Sequence, residues 1–390
     1  MQPTPKQLQH QGLAALQAGR YPAAREALEA ALRAAPADAT TLMALAYACT
    51  HLADHTAARA AVDAVLQAEP RNLRALLLKG DLVWAAGDER AAAAFFRAAV
   101  SIAPAADAMP EDLSKAVDRA RQAIARLAGS FEQTLLQHLR GSPAWAQARS
   151  SRFDQSLELL LGRKQLYLQE PRLYCFPELP HKQFFEREAF PWMDALEAQT
   201  DAIRDELLAV LRQPDRFSPY LESDETRPAL YQGGLLNNAD WSAFYLWRNG
   251  EPVAGHADSC PRTMAALQAL PLPRIPGRSP NILFSQLRPG AHIPPHHGFV
   301  NTRLIVHLPL VAPPGCVFRV GNETRTWAYG KAWAFDDTIE HEAWNTSDQT
   351  RVVLLFEVWR PELTAQERAL VGSLFEAIRR HQGGQQDWGI

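Results

Sequence analysis

Proline recurs every 34 residues in the first third of the chain, at Pro36, Pro70 and Pro104, and residues at fixed offsets before it recur with it. Small side chains stand twenty-four residues earlier (Gly12, Ala46, Gly80), twelve earlier (Ala24, Ala58, Ala92) and five earlier (Ala31, Val65, Ala99). Small residues at fixed places let the two helices of a hairpin approach closely. Proline lacks an amide hydrogen and clashes with the preceding turn, so it stops the second helix. One such hairpin cannot bury its own apolar face, and hairpins of this kind stack. The spacing predicts an all-α superhelix of three hairpins over about residues 5–106, with Glu111 to Leu127 as the helix that caps it.

These repeats resemble the tetratricopeptide family, and AGRYPAAREALEAALRAAP is the best single match; the second repeat departs from the pattern at His55. The resemblance implies a concave groove offered to a peptide or partner protein. Docking or dimerisation and direct capture of a substrate both remain open for it.

Alanine is dense over residues 12–128, whereas aromatics and prolines gather after Phe153, and such a shift marks a domain border. The reading is a repeat domain over residues 1–130, a helical connector over 131–172, and a second domain over 173–390 that ends in a helix. The net charge of -3 and a pI near 6.5 disfavour nucleic acid as a partner. The start lacks a secretory pattern and no apolar run approaches the ~18 residues a membrane span needs, so a soluble cytoplasmic protein is the default expectation. Cys49, Cys175, Cys260 and Cys316 form no CxxC pair and are expected as isolated reduced thiols.

In the second domain Trp192, Leu196, Ile203, Leu207 and Val210 fall on one face of a helix. Asn237 to Gly250 reads as a strand closed by an Asn-Gly turn. Trp241, Tyr245 and Trp247 share one parity there and would line one face, either as core or as a stacking surface for substrate; Trp241 is the substrate-side candidate. Residues 259–280, rich in proline, suit a lid or rim.

From residue 280 onward short strands alternate with turn signals, the signature of an all-β sandwich or barrel. The strands expected are Ile282–Leu287, Thr302–Leu310, Val317–Val320, Thr324–Trp327, Ala332–Phe335, Ile339–Trp344 and Thr350–Trp359. Two histidines, His296 and His341, lie in this region, and Arg351 follows. Iron oxygenases use a His-x-Asp with a distant second His, leaving positions open for oxygen and cosubstrate; here Gly298 stands where the carboxylate would be. A hairpin turning at Asn345 to Gln349 would pair His341 with Val353 and put His341 and Arg351 on one side of a sheet. A charge aimed into a barrel needs an anionic partner. A dicarboxylate cosubstrate and a salt bridge to Glu357 or Glu342 are the two choices.

FSQLRPGAHIPPHHG, NTRLIVHLPL, GNETRTW, FDDTIEHEAW and VWRPELT together resemble the aspartyl/asparaginyl β-hydroxylase family, over about residues 177–368. The resemblance implies a double-stranded β-helix of jelly-roll or cupin type with flanking helices, in an α+β multidomain chain. It also implies Fe(II), 2-oxoglutarate and O2, and two histidine ligands without a carboxylate. Residue by residue, His296 and His341 correspond to the iron ligands and catalytic centre. Arg351 and Ser285 correspond to the hold on the distal carboxylate of 2-oxoglutarate, and His307 to a contact for its proximal carboxylate. Arg303 corresponds to a residue near the substrate, and Asp337 to a holder of water beside the iron. Vertebrate members carry a further arginine where this chain has Ile305. His297 is expected to point away from the iron, and His292 to be peripheral.

The function so implied is hydroxylation of an Asp, Asn or related side chain in a peptide or protein that reaches the site through the repeat groove, with release of succinate and CO2. The alternatives are the same chemistry on a small molecule, either a free amino acid or an acyl chain, and a catalytically silent binding module.

Overall fold

The computed structural model describes residues 3–35, 38–105, 108–213, 215–223 and 234–381. The chain divides into two compact units, Met1–Leu161 and Gly162–Ile390. In the first, α1 (Pro5–Gln17) pairs with α2 (Tyr21–Ala34), α3 (Ala39–His51) with α4 (His55–Ala68), and α5 (Leu73–Ala85) with α6 (Glu89–Ile102). The periodic small residues sit at the contacts between helices. Ala24, Ala58, Ala92, Ala46, Val65 and Ala99 are fully buried, and a Cβ at Gly12 or Gly80 would run into Leu28 or Phe96. The turns are periodic as well: Gly19, Ala53 and Gly87, 34 residues apart, all take positive φ. Asp54, Asn72 and Asp88 each cap the helix that follows by accepting a backbone amide hydrogen, an interaction of ~1 kcal/mol. The helices α4 and α6 stop just before Pro70 and Pro104 as expected; Pro36 lies outside the described residues.

The capping helix α7 is longer than expected and runs unbroken from Glu111 to Arg140. Its Val117 and Ala120 are buried against α5 and α6. Residue 130 therefore lies inside a helix and is no boundary. With α8 (Pro143–Ala148) and α9 (Ser151–Leu160), the segment read as a connector divides: residues 131–161 go with the first unit and 162–172 with the second.

The second unit opens with α10 (Met193–Glu197) and α11 (Thr200–Leu211), and continues with β1 (Ser218–Pro219), β2 (Trp241–Arg248), β3 (Glu251–Pro252) and α12 (Pro261–Gln268). There follow β4 (Ile282–Leu287), β5 (His292–His296), β6 (Arg303–Val311), β7 (Cys316–Val320), β8 (Glu323–Thr326), β9 (Trp333–Phe335), β10 (His341–Asn345), β11 (Arg351–Trp359) and α13 (Ala365–His381). Two antiparallel sheets result. The larger has the order β1-β2-β4-β11-β6-β9, with β3 on β2, and the smaller β5-β10-β7-β8.

Alternation along the central strands separates two cores. Leu304, Val306 and Leu308 of β6, with Leu354 and Phe356 of β11, pack on Leu196, Ile203 and Leu207 of the helices. The opposite parity, Ile305, Val353 and Leu355, meets Ile293, Phe318 and Ala343 of the smaller sheet. Each such side chain contributes about 1.5–3 kcal/mol by leaving water. A cavity lies between the two sheets.

Three expectations fail on particular residues. The segment His292–His296 is a strand that propensity does not favour, because it contains Pro294 and Pro295; it is tolerated at an edge, where a missing amide breaks no ladder. The strands β10 and β11 do not pair with each other. His341 stands opposite His296 and Val320, and Val353 opposite Ser285 and Pro309, so the 346–350 loop crosses from one sheet to the other. In β2 a bulge between Tyr245 and Trp247 breaks the parity: Trp241 and Tyr245 face the inner core and Trp247 packs on the outer one.

Candidate active site

Position opposite each other on neighbouring strands brings His296 of β5 and His341 of β10 together, their ring centroids 4.0 Å apart. Both rings are oriented by the backbone: His296 Nδ1 lies 2.7 Å from the Pro294 carbonyl oxygen, and His341 Nδ1 3.0 Å from that of Ile339. A carbonyl only accepts, so each Nδ1 carries the hydrogen and each Nε2 keeps a free lone pair. Burial holds both rings neutral, depressing His296 to about 4 and His341 well below its ordinary value. Neutral imidazoles with Nδ1–H bound to backbone carbonyls are the form in which histidine ligates a metal through Nε2.

Arg351, from the larger sheet, lines the same cavity and is 2% exposed. Among the described residues its guanidinium meets no carboxylate. It lies 4.7 Å from the centroid of the Trp327 ring, makes one long contact of 3.5 Å to the Ser285 carbonyl oxygen, and leaves Nε without a partner. Neither carboxylate offered by the sequence reading engages it, because Glu357 bonds Arg303, and Glu342 bonds Arg319 and His292. Burial lowers Arg351 to about 10. Ser285 faces the cavity beside it and accepts a hydrogen bond of 3.3 Å from Trp241 Nε1. His307, kept neutral by burial and by the nearby Arg351 charge, packs on Phe318 and Phe335 and accepts from Trp327 Nε1 at 3.4 Å.

The other end of the cavity is acidic. Asp337 accepts the Gly298 amide hydrogen through its backbone oxygen at 2.6 Å, and a Cβ at 298 would collide with its carboxylate. Only glycine fits there. Asp337 Oδ2 pairs with Arg303 at 3.0 Å, while Oδ1 is buried without a partner. Burial, opposed by Arg303, raises Asp337 to about 6.

The structure thus brings His296, His341, Ser285, His307, Arg351 and Trp241 to one cavity of about 520 Å³, mouth included. Trp241 stacks on Tyr220 at 3.9 Å and lies 6.1 Å from His296. Arg303 differs from the expectation: it is buried between Asp337 and Glu357 and faces a different cavity. His297 and His292 turn toward Glu170 and Glu342. Sequence reasoning missed Tyr220 and Trp327, which stand among many aromatics with no spacing signal. Among the described residues no group of three or more His, Cys, Asp or Glu side chains is disposed around one metal position.

Residues 197–361 match the family model described as Aspartyl/Asparaginyl beta-hydroxylase, and residues 11–68 and 52–107 match that of the Tetratricopeptide repeat. The chain carries an aspartyl/asparaginyl beta-hydroxylase domain behind tetratricopeptide repeats. The human Aspartyl/asparaginyl beta-hydroxylase is 39% identical over 176 residues, 45% of this chain and 22% of that protein. The Ornithine lipid ester-linked acyl 2-hydroxylase of Rhizobium tropici is 33% identical over 190 residues, 48% of this chain and 63% of that one. Aspartate beta-hydroxylase domain-containing protein 2 of Homo sapiens is 31% identical over 215 residues, 53% and 55% of the two chains. The chain therefore spans less than two thirds of each of these relatives. The beta-hydroxylase domain match encloses every cavity residue discussed above. Among the described residues no helix is long and apolar enough to cross a membrane.

Proposed function

We propose that the second unit is an Fe(II)- and 2-oxoglutarate-dependent dioxygenase that hydroxylates an aspartyl, asparaginyl or related side chain of a peptide or protein, with the repeat groove helping to present it. The observation that carries this reading is Arg351, a buried cation without a carboxylate, facing the same cavity as two neutral histidines whose Nε2 atoms are free. His296 and His341 would hold the metal. Arg351 and the Ser285 hydroxyl would hold the distal carboxylate of 2-oxoglutarate, a charge-assisted contact of ~1.5–3 kcal/mol, and His307 would meet the proximal one.

When bound, the iron and 2-oxoglutarate supply the oxidising chemistry that places one oxygen atom of O2 in a substrate C–H bond, with succinate and CO2 as coproducts. The chain's own part is orientation and dryness. Backbone carbonyls fix both imidazoles in the ligating tautomer, Gly298 leaves room for the Asp337 carboxylate, and Phe318, Phe335 and Trp327 exclude water from the guanidinium. A second reading, hydroxylation of an acyl chain, is favoured by the apolar wall at Ile305 and by the name of the Rhizobium tropici relative.

Binding of Mn(II) and 2-oxoglutarate followed by calorimetry tests the assignment, together with succinate release. With two neutral ligands, metal affinity is expected to be weak alone and strengthened by 2-oxoglutarate. His296→Ala or His341→Ala is expected to weaken metal binding by at least about 100-fold and to abolish succinate release. Unchanged metal binding in either variant would reject the site.

A further inference from the structure

Glu357 of β11 is buried, and its carboxylate is held from several sides. Oε2 accepts from the Ser279 hydroxyl and from the Asn281 backbone amide at 3.2 Å, and Oε1 accepts from Asn281 Nδ2 at 3.3 Å. Oε1 also pairs with Arg303 Nε at 3.1 Å. In the sheet Glu357 stands opposite Ile305, so Arg303, two residues along β6, is its diagonal neighbour on the inner face. The same guanidinium donates from Nη1 to Asp337 Oδ2 at 3.0 Å. Asp337 is buried and lines the cavity of His296 and His341, and its Oδ1 has no partner among the described residues.

These contacts form a chain with one fixed end, because Ser279 and Asn281 anchor Glu357 through three donors. A guanidinium is flat and carries its N–H groups in a rigid fork, so a carboxylate held at Nε sets the direction in which Nη1 points. A carboxylate turns broadly about its last bond unless one oxygen is tied. Tying Oδ2 of Asp337 to Arg303 therefore decides where Oδ1 faces. A buried oxygen without a partner calls for an explanation such as a bound water or ion, and glycine at 298 leaves the carboxylate its room. A cluster that served stability alone would gain by satisfying that atom, since an unpaired buried acceptor costs free energy. The same chain accounts for Arg303, which has the inner parity yet lines the neighbouring cavity with Glu357 instead of the one with the two histidines.

We infer that Glu357 is a positioning residue of this site: acting through Arg303, it orients the Asp337 carboxylate so that Oδ1 accepts a hydrogen bond from a molecule bound beside His296 and His341. The inference rests on the oxygenase reading only for the metal that shares this space, and its test has one arm without metal and one with it. Crystal structures of the metal-free full chain and of its Glu357→Gln variant give the first. The variant is expected to show the Asp337 carboxylate rotated and its contact with Arg303 lost. An unrotated carboxylate overturns the inference. The second arm reads the Kd of Mn(II) at saturating 2-oxoglutarate from the EPR signal of free Mn(II). Glu357→Gln and Asp337→Asn are each expected to weaken binding by about tenfold or more. The double variant is expected to be no weaker than Asp337→Asn alone, the non-additivity of residues that act in series. A purely structural Glu357 would lower the midpoint of urea unfolding and leave the Kd unchanged; that result, or losses that multiply in the double variant, overturns the inference. Arg303→Lys keeps the charge without the fork. It is expected to behave as Glu357→Gln in both arms, and it replaces that variant should Glu357→Gln fail to fold. If the parent binds no Mn(II), the oxygenase reading fails, and the crystal structures alone decide the role of Glu357.

Discussion

On the oxygenase reading proposed above, Arg351 is poor for the free protein and needed for a complex. Its guanidinium is removed from water and offset only by the Trp327 ring and a long contact to the Ser285 carbonyl oxygen. Burying a charge costs several kcal/mol, while the cation–π contact returns about 0.5–2 kcal/mol. Arg351→Met keeps much of the volume and removes the charge. The free variant is expected to match the parent in stability to within about 1 kcal/mol or to exceed it. With metal present, the parent is expected to gain about 2.7 kcal/mol at 2-oxoglutarate a hundredfold above its Kd, and the variant to gain none. Urea unfolding with and without 2-oxoglutarate measures both quantities. A large loss of stability in the ligand-free variant would make Arg351 a structural group.

At the scale of elements, periodicity in the sequence was the reliable guide and pairing was not. The 34-residue period locates the helix pairs of the repeats because the same small residues are needed at every close approach, and even the left-handed turn at Ala53 keeps the period without a glycine. Parity on β6 places Ile305 and His307 on the inner face and Leu304 and Val306 on the outer. What lies beyond local pattern was lost: the edge strand through Pro294 and Pro295, the bulge after Tyr245, and the sheet that β10 joins. Adjacency in sequence suggests a β10–β11 hairpin, yet His341 and Arg351 line one cavity from different sheets. The residues singled out by family resemblance, His296, His341, Ser285, His307 and Arg351, line one cavity, whereas the capture of Arg303 by Asp337 and Glu357 depends on contacts between distant segments. A second such contact fixes the entry to the domain. Arg360, fully buried, donates to Asp336 at 2.6 Å and to the Pro180 carbonyl, and Asp336 also accepts from Gln169 at 2.6 Å. Arg360→Met leaves Asp336 buried without its cation and is expected to cost about 3–5 kcal/mol. Asp336→Asn added to it is expected to recover part of that loss, read as the midpoint of urea unfolding.

On the scale of the whole molecule, the two units differ in how acid reaches them. The histidines of the repeat unit, His10, His51, His55 and His138, are exposed. In the second unit His296, half-buried, and His307 and His341, buried, line one cavity as neutral rings, each with its pKa depressed on folding. A depressed histidine contributes stability that is present above its unfolded value of 6.5 and is lost as pH falls toward the folded value. For His296, which reaches about 4, this is on the order of 3 kcal/mol. Asp337 acts with the opposite sign: raised from 3.8 to about 6, it contributes stability present below 3.8 and lost as pH rises through 6, so acidification returns a similar amount. These two offset each other, and His307 and His341 set the net direction. Between pH 6.5 and 4 the metal-free second unit is therefore expected to lose stability, while the repeats keep theirs. Hydrogen exchange read by mass spectrometry, corrected for the intrinsic rate at each pH, resolves the two: protection should fall in β6 and β10 and hold in α3 to α6. His307→Leu removes one of the titrating groups and should make the loss in β6 smaller. A second unit that gains protection over this range would mean that Asp337 outweighs the histidines.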